Sequence, residues 1–174
     1  MINTDLINHL KPFLGPVRYF CLDSREIKPS EFESGAGACF LAAPSAEQGP
    51  EAEGGMAYIP DAIARGAVLI LSHRPIQVQD HAQVPVVHIP DWFENIGPIL
   101  EFFFQTQALL KQAKAQVFGV TGTNGKTTVS QLIAQFWGRA NCLIVGTLGV
   151  GFFGNLKSLG CTSPDAAKTH QLIH

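Results

Sequence analysis

Apolar positions in this chain fall into two rhythms that take turns along its length. Short continuous runs of β-branched and aromatic residues occur at 17–22, 38–42, 67–71 and 84–89. Between them lie stretches with apolar residues three and four apart. The runs predict strands and the spaced stretches predict helices, which is the pattern of an α/β fold with mostly parallel strands. In order, Leu6, Ile7 and Leu10 predict a first helix over 4–10, capped by Thr4 and ended by Pro12. A short helix over 59–65 carries Pro60 in its first turn and is stopped by Gly66, and the run at 67–71 reads as a fully buried strand. Pro85 breaks the 84–89 run and predicts an edge strand, since proline cannot donate to a ladder. From Asp91 a single long helix is predicted to about Lys114, with Ile96, Ile99, Leu100, Phe103, Leu109 and Leu110 on its inner side.

The second part of the chain is organised around residues 117–128, Val-Phe-Gly-Val-Thr-Gly-Thr-Asn-Gly-Lys-Thr-Thr. An apolar run enters a glycine-rich turn, and a helical pattern leaves it, with Val129, Leu132, Ile133 and Phe136 expected inward. That is the strand–loop–helix layout of a phosphate cradle, in which loop N–H groups and a helix N-terminus converge on an anion. Lys126 supplies a full charge for phosphate, and the Thr127 hydroxyl stands where a Mg²⁺ ligand is needed. The strict phosphate-loop spacing asks for glycine at 120, where this chain has Val120; its glycines fall at 119 and 122 instead. Residues 142–145 predict the next strand of a crossover, and 146–160 a glycine- and phenylalanine-bearing loop. A final helix opens after Thr162 or Ser163, either of which could cap it.

Composition narrows the partners. A formal net charge of −2, with 15% charged residues and no Lys/Arg cluster, argues against nucleic acid or an anionic membrane surface. No apolar run approaches a bilayer span and no signal peptide is visible at the start, so a cytoplasmic protein is expected. Cys21, Cys39, Cys142 and Cys161 are scattered, which suits reduced thiols better than disulfides or zinc. His170 and His174 share a helical face, and a solvated terminal face is the simpler account of them than a metal site. The linker at 111–116 marks the expected boundary between a first domain, 1–114, and a second unit, 115–174.

Several of these stretches, in this order, resemble the Mur ligases of peptidoglycan synthesis, and most closely the MurE type that adds the third residue of the stem peptide. The loop at 119–128 is similar to the family's ATP signature, with its shifted glycines. Asp23-Ser24-Arg25, Lys28-Pro29, Phe40-Leu41-Ala42 and the stretch from Tyr58 to Ala67 resemble the uridine-binding first domain. Gly146 to Gly151, followed by Thr162-Ser163-Pro164-Asp165-Ala166, resembles the third-step enzymes in particular. The resemblance implies a Rossmann-like first domain and the beginning of a P-loop-type ATP-binding domain. It implies that Gly122, Thr123, Asn124, Gly125, Lys126, Thr127 and Thr128 hold ATP, with Lys126 on the transferred phosphate and Thr127 on Mg²⁺. Leu22 and Ser24 are then expected at the uridine diphosphate end of UDP-N-acetylmuramoyl-L-Ala-D-Glu, and Thr162 and Ser163 at its muramoyl-peptide. The implied reaction is ATP-driven activation of a carboxylate as an acyl phosphate, then amide formation with a diamino acid, meso-diaminopimelate or lysine.

The chain departs from the family pattern in the turn at 30–39, in Gly54-Gly55 and at Cys161. A whole family member also carries further metal ligands, a carbamylated lysine and a C-terminal domain, so this chain is expected to be part of such an enzyme and not a competent ligase alone. Two other readings fit the residues: a non-catalytic module that binds a UDP-sugar beside a vestigial loop, and an unrelated P-loop kinase or NTPase. The latter calls for an acidic residue at the end of a later apolar strand, and none follows residue 146.

Overall fold

The computed structural model describes residues 4–28, 35–45, 53–76, 84–159 and 164–174. Four parallel strands form the first sheet: β1 (Val17–Cys21), β2 (Gly37–Ala42), β3 (Leu69–Ser72) and β4 (Val86–His88), in that spatial order. Cys39 pairs with Leu69 and Phe20 with Cys39, while Ile70 pairs with Val86, so the carboxyl ends of the four parallel strands lie at one end of the sheet. Every residue of β2 and β3 is buried, as expected for central strands covered on both faces. The proline-interrupted strand β4 is at an edge of the sheet, as its sequence predicts.

One face of this sheet carries α1 (Thr4–Leu14) and α3 (Trp92–Phe104), whose Leu10, Ile99 and Leu100 join Phe20, Leu41 and Leu71 in one core. The other face carries a 3₁₀ turn (Gly54–Tyr58) and α2 (Ile59–Ala64), with Ile59 and Ala62 against Phe40 and Ile70. Helix α1 runs past Pro12 to Leu14, one turn longer than expected. Proline removes one helical hydrogen bond. Burial of Leu14 beside Ile7 and Leu10, each apolar side chain worth roughly 1.5–3 kcal/mol, outweighs that loss.

The long helix predicted from Asp91 is two helices. Gln105 adopts a left-handed conformation (φ 51°) that ends α3, and α4 (Thr106–Gln112) starts beyond it. The Glu101 carboxylate accepts from the Gln107 N–H at 2.9 Å, which satisfies the start of α4. Buried Thr106 then meets His170, a contact that a continuous helix would not make.

Beyond the linker, α5 (Lys126–Trp137) is followed by β5 (Leu143–Gly146), β6 (Gly149–Phe152) and β7 (Asn155–Lys157), an antiparallel three-stranded meander. Several expectations fail here. The stretch 146–160 was expected as a loop but contains two strands, and β5 pairs with β6, not with a parallel neighbour. Gly149 (φ 120°) shows why: a Cβ there would lie 2.2 Å from the Lys157 carbonyl oxygen, so glycine lets the hairpin strands close. The run entering the phosphate loop forms no strand either, and Val117 is 74% exposed. A strand needs a ladder partner, and neither described sheet, β1–β4 or β5–β7, takes this run up. Val129, Leu132 and Phe136 are accordingly exposed instead of inward; of α5 only Ala134 is fully buried.

Helix α6 (Ala166–Ile173) returns to the first sheet. Ala167 joins the core around Phe20, and the Gln171 amide donates to the Phe20 carbonyl of β1 at 2.7 Å. The His170 ring stacks on Phe104 (centroids 5.9 Å apart) and hydrogen-bonds the Thr106 hydroxyl at 2.7 Å. His170 is thus half-buried and not on a solvated face. Its cap is the Asp165 carboxylate, which accepts from the Lys168 N–H; the caps expected at Thr162 or Ser163 lie outside the described residues.

Candidate functional site

The candidate phosphate loop is built from two backbone features. Gly122 (φ 140°) and Gly125 (φ 79°) both take conformations that side chains disfavour, and Gly125 is the residue that opens α5. No side chain caps α5, so its first-turn N–H groups are left for another acceptor. The Lys126 ammonium folds back over the loop, donating to the Gly122 carbonyl and, at 3.4 Å, to that of Thr123. Thr123, Asn124 and Thr128 are exposed around it, and Thr127 is half-buried at the start of α5, where Ser130 donates to its carbonyl at 2.9 Å. Phe118, at the loop's entry, packs edge-on against Trp137 at the far end of α5 (5.1 Å), which ties both ends of the loop–helix unit together. An uncapped helix start, two left-handed glycines and a lysine across the mouth could receive an anion such as a phosphate, and the Thr127 hydroxyl in the first turn of α5 is a group that could ligate a cation held with it.

The second cluster lies at the carboxyl end of β1. Leu22 is 38% exposed, and Asp23 caps a 3₁₀ turn (Ser24–Glu26) by accepting from the Arg25 N–H at 2.9 Å. The Arg25 guanidinium grips both Asp23 oxygens, at 2.7 and 2.9 Å for the closest contacts, and holds that carboxyl below its ordinary range. Ser24 is buried, 3% exposed, and its hydroxyl donates to Asp61 Oδ2 of α2 at 2.6 Å. The Arg65 Nε meets the same oxygen at 2.8 Å, one turn on along α2. The Ser24 hydrogen bond first, and Arg65 second, hold the Asp61 carboxyl below its ordinary range. Asp61 and Arg65 are site neighbours that sequence reasoning passed over. Their i,i+4 spacing was visible, but not that α2 would face the end of β1.

The two clusters stand on different scaffolds: Ser24 follows β1 of the parallel sheet, and Lys126 precedes β5 of the meander. Thr162 and Ser163 lie outside the described residues. Among the described residues no group of histidine, cysteine and carboxylate side chains could hold a metal ion, and no helix is long and apolar enough to cross a membrane. No disulfide joins the described cysteines; Cys21 and Cys39 are buried on opposite faces of the sheet, and burial pushes the Cys21 thiol up to about 12. A separate cavity of about 340 Å³ opens at the carboxyl ends of the central strands, lined by Pro44, His73, Asp91, Trp92, Phe93 and Glu94. Neither predicted cluster contributes to it.

Residues 120–174, from the loop through α6, match the model of the Mur ligase middle domain. The chain is 34% identical over 152 residues to the UDP-N-acetylmuramoyl-L-alanyl-D-glutamate--2,6-diaminopimelate ligase of Pseudomonas putida, a match covering 86% of this chain and 27% of that protein. It is 33% identical over 169 residues to the ligase of the same name from Alkalilimnicola ehrlichii (91% and 31%), and 37% over 161 residues to that of Xylella fastidiosa strain Temecula1 (87% and 28%). The chain thus spans less than a third of the length of these relatives. The middle-domain match starts at residue 120, and the likeness to the relatives extends through nearly all of the residues before it: the chain belongs to the Mur ligase family, MurE type.

Proposed function

We propose that this chain carries the uridine-binding and phosphate-binding portions of an ATP-dependent ligase that extends UDP-N-acetylmuramoyl-L-Ala-D-Glu with a diamino acid, 2,6-diaminopimelate by likeness to its relatives. The observation that carries the reading is the loop at 122–128, an uncapped helix start with Lys126 lying across it. In this reading the first domain comprises 1–114 and the nucleotide-binding unit 115–174.

Gly122, Thr123, Asn124, Gly125, Lys126, Thr127 and Thr128 bind the ATP phosphates through loop N–H groups. On binding, Lys126 exchanges its two carbonyl partners for phosphate oxygens, and so delivers its charge where negative charge builds up in transfer. Mg²⁺, held with the help of Thr127, supplies charge neutralisation and orientation. Leu22 and Ser24 bind the uridine end of the second substrate, and Thr162 and Ser163 its peptide. The substrate carboxylate attacks the γ-phosphorus, ADP leaves, and the amine of the diamino acid then displaces phosphate to form the amide. What this chain contributes is positioning and electrostatics. Val129, Leu132 and Phe136 of α5 and Leu143 and Val145 of β5 are exposed apolar side chains, the kind of surface that packs against another segment or partner.

Isothermal titration of ATP with Mg²⁺, and of UDP-N-acetylmuramoyl-L-Ala-D-Glu, into the chain tests this. Binding of both is expected, with ATP affinity lowered at least tenfold by Lys126→Ala, the loss of one charged hydrogen-bond donor. ATP binding indifferent to that change would remove the phosphate-loop assignment.

A further inference from the structure

The Ser24–Asp61 contact has a chemical consequence. A serine hydroxyl has one proton and two lone pairs. Here the proton is committed: Asp61 Oδ2 lies 2.6 Å away, and a carboxyl held below its ordinary range by Ser24 and Arg65 is ionised at neutral pH and can only accept. Toward anything arriving from solvent, Ser24 can offer only a lone pair. Phosphate oxygens are also acceptors at neutral pH, so a phosphate and this hydroxyl have no proton to share. The nearby guanidiniums do not reverse the preference, since Arg25 is engaged with Asp23 at 2.7 Å and Arg65 with Asp61 at 2.8 Å.

We propose that Asp61 is a positioning residue that fixes Ser24 as a hydrogen-bond acceptor, so that Ser24 meets an N–H or O–H of the neutral nucleoside or sugar portion of the nucleotide-sugar and not its diphosphate. The inference rests on the uridine-end assignment above and sharpens it. Arg65, one turn along α2, holds Asp61 in place, and the buried setting of Ser24, 3% exposed, keeps the hydroxyl from rotating toward water.

The test compares uridine with UDP as probes, by calorimetry and ligand-observed NMR, on the native chain, Ser24→Ala, Asp61→Ala, Asp61→Asn and the double alanine variant. Ser24→Ala is expected to weaken uridine and UDP by the same factor, about tenfold for one lost hydrogen bond, so the UDP-to-uridine affinity ratio stays constant. Asp61→Ala should weaken both nearly as much, because the freed hydroxyl turns. The double variant should be no weaker than Ser24→Ala alone, the signature of one residue acting through the other. Asp61→Asn, whose amide oxygen can still take the serine proton, should recover most of the affinity. A loss in Ser24→Ala confined to UDP, additive effects in the double variant, or native affinity in Asp61→Ala would each overturn the positioning role while leaving the uridine site standing. Failure of the native chain to bind either probe would remove both.

Discussion

Phe104 joins the two halves of this chain, and its removal should separate their stabilities. The ring is 5% exposed, tilted against Phe20 of β1 at 5.7 Å, edge-on to Phe103 at 4.9 Å, stacked under His170 of α6 and edge-on to His174, which follows that helix. Phe104→Ala deletes a buried aromatic and leaves a cavity that the sheet, with β2 and β3 buried throughout, cannot collapse to fill; such changes cost about 3–5 kcal/mol. Lost ring–ring contacts belong to the same total, each worth about 0.5–1.5 kcal/mol beyond burial. With a urea slope of about 2 kcal/mol per molar, a loss of about 4 kcal/mol lowers the unfolding midpoint by about 2 M. Urea unfolding, followed by circular dichroism, reads that shift. Amide hydrogen exchange reads where it acts: the α6 amides should lose protection first, while those of β2 and β3 keep theirs relative to global unfolding. A loss below about 1 kcal/mol, or α6 amides that stay as protected as those of β2, would refute the idea that Phe104 clamps α6 to the first sheet.

Burial holds the His170 imidazole below its ordinary value of 6.5, with the Glu101 carboxylate pulling weakly the other way. The unfolded chain therefore takes up this proton more readily than the folded one. Stability is intact above that range and falls as the pH drops through 6.5 and below, and His170→Gln should flatten that limb of a pH series of urea midpoints. Gly149→Ala places a methyl 2.2 Å from the Lys157 carbonyl at a φ of 120°, and should lower the hydrogen-exchange protection of β6 and β7 while sparing β1–β4. With its thiol pushed up to about 12, Cys21 should alkylate about a thousandfold more slowly at pH 8 than an unperturbed cysteine in the folded chain, and at an ordinary rate in denaturant, as peptide mass spectrometry can follow.

Periodicity alone located the parallel strands β1, β2, β3 and β4 and the edge position of β4, because a strand buried on both faces must be apolar throughout and proline must avoid a central ladder. The turn at 119–125 and the helix leaving it were legible too, because glycines followed by apolar residues three and four apart mark a turn into a helix. Tertiary structure decided the rest. Pro12 did not end α1, since Leu14 found a core to enter, and the left-handed Gln105 ended α3 directly after Phe104, which is held between β1 and α6. Strands β6 and β7 close on each other where Gly149 lies against the Lys157 carbonyl, a contact between segments that no local pattern announces. The same holds for Ser24. Its position at a strand end was visible in the sequence, but the partner that takes its proton lies 37 residues away on another element. Local sequence sets which backbone conformations and charges are available; what a hydroxyl can offer a ligand depends on which groups the fold brings within 3 Å of it.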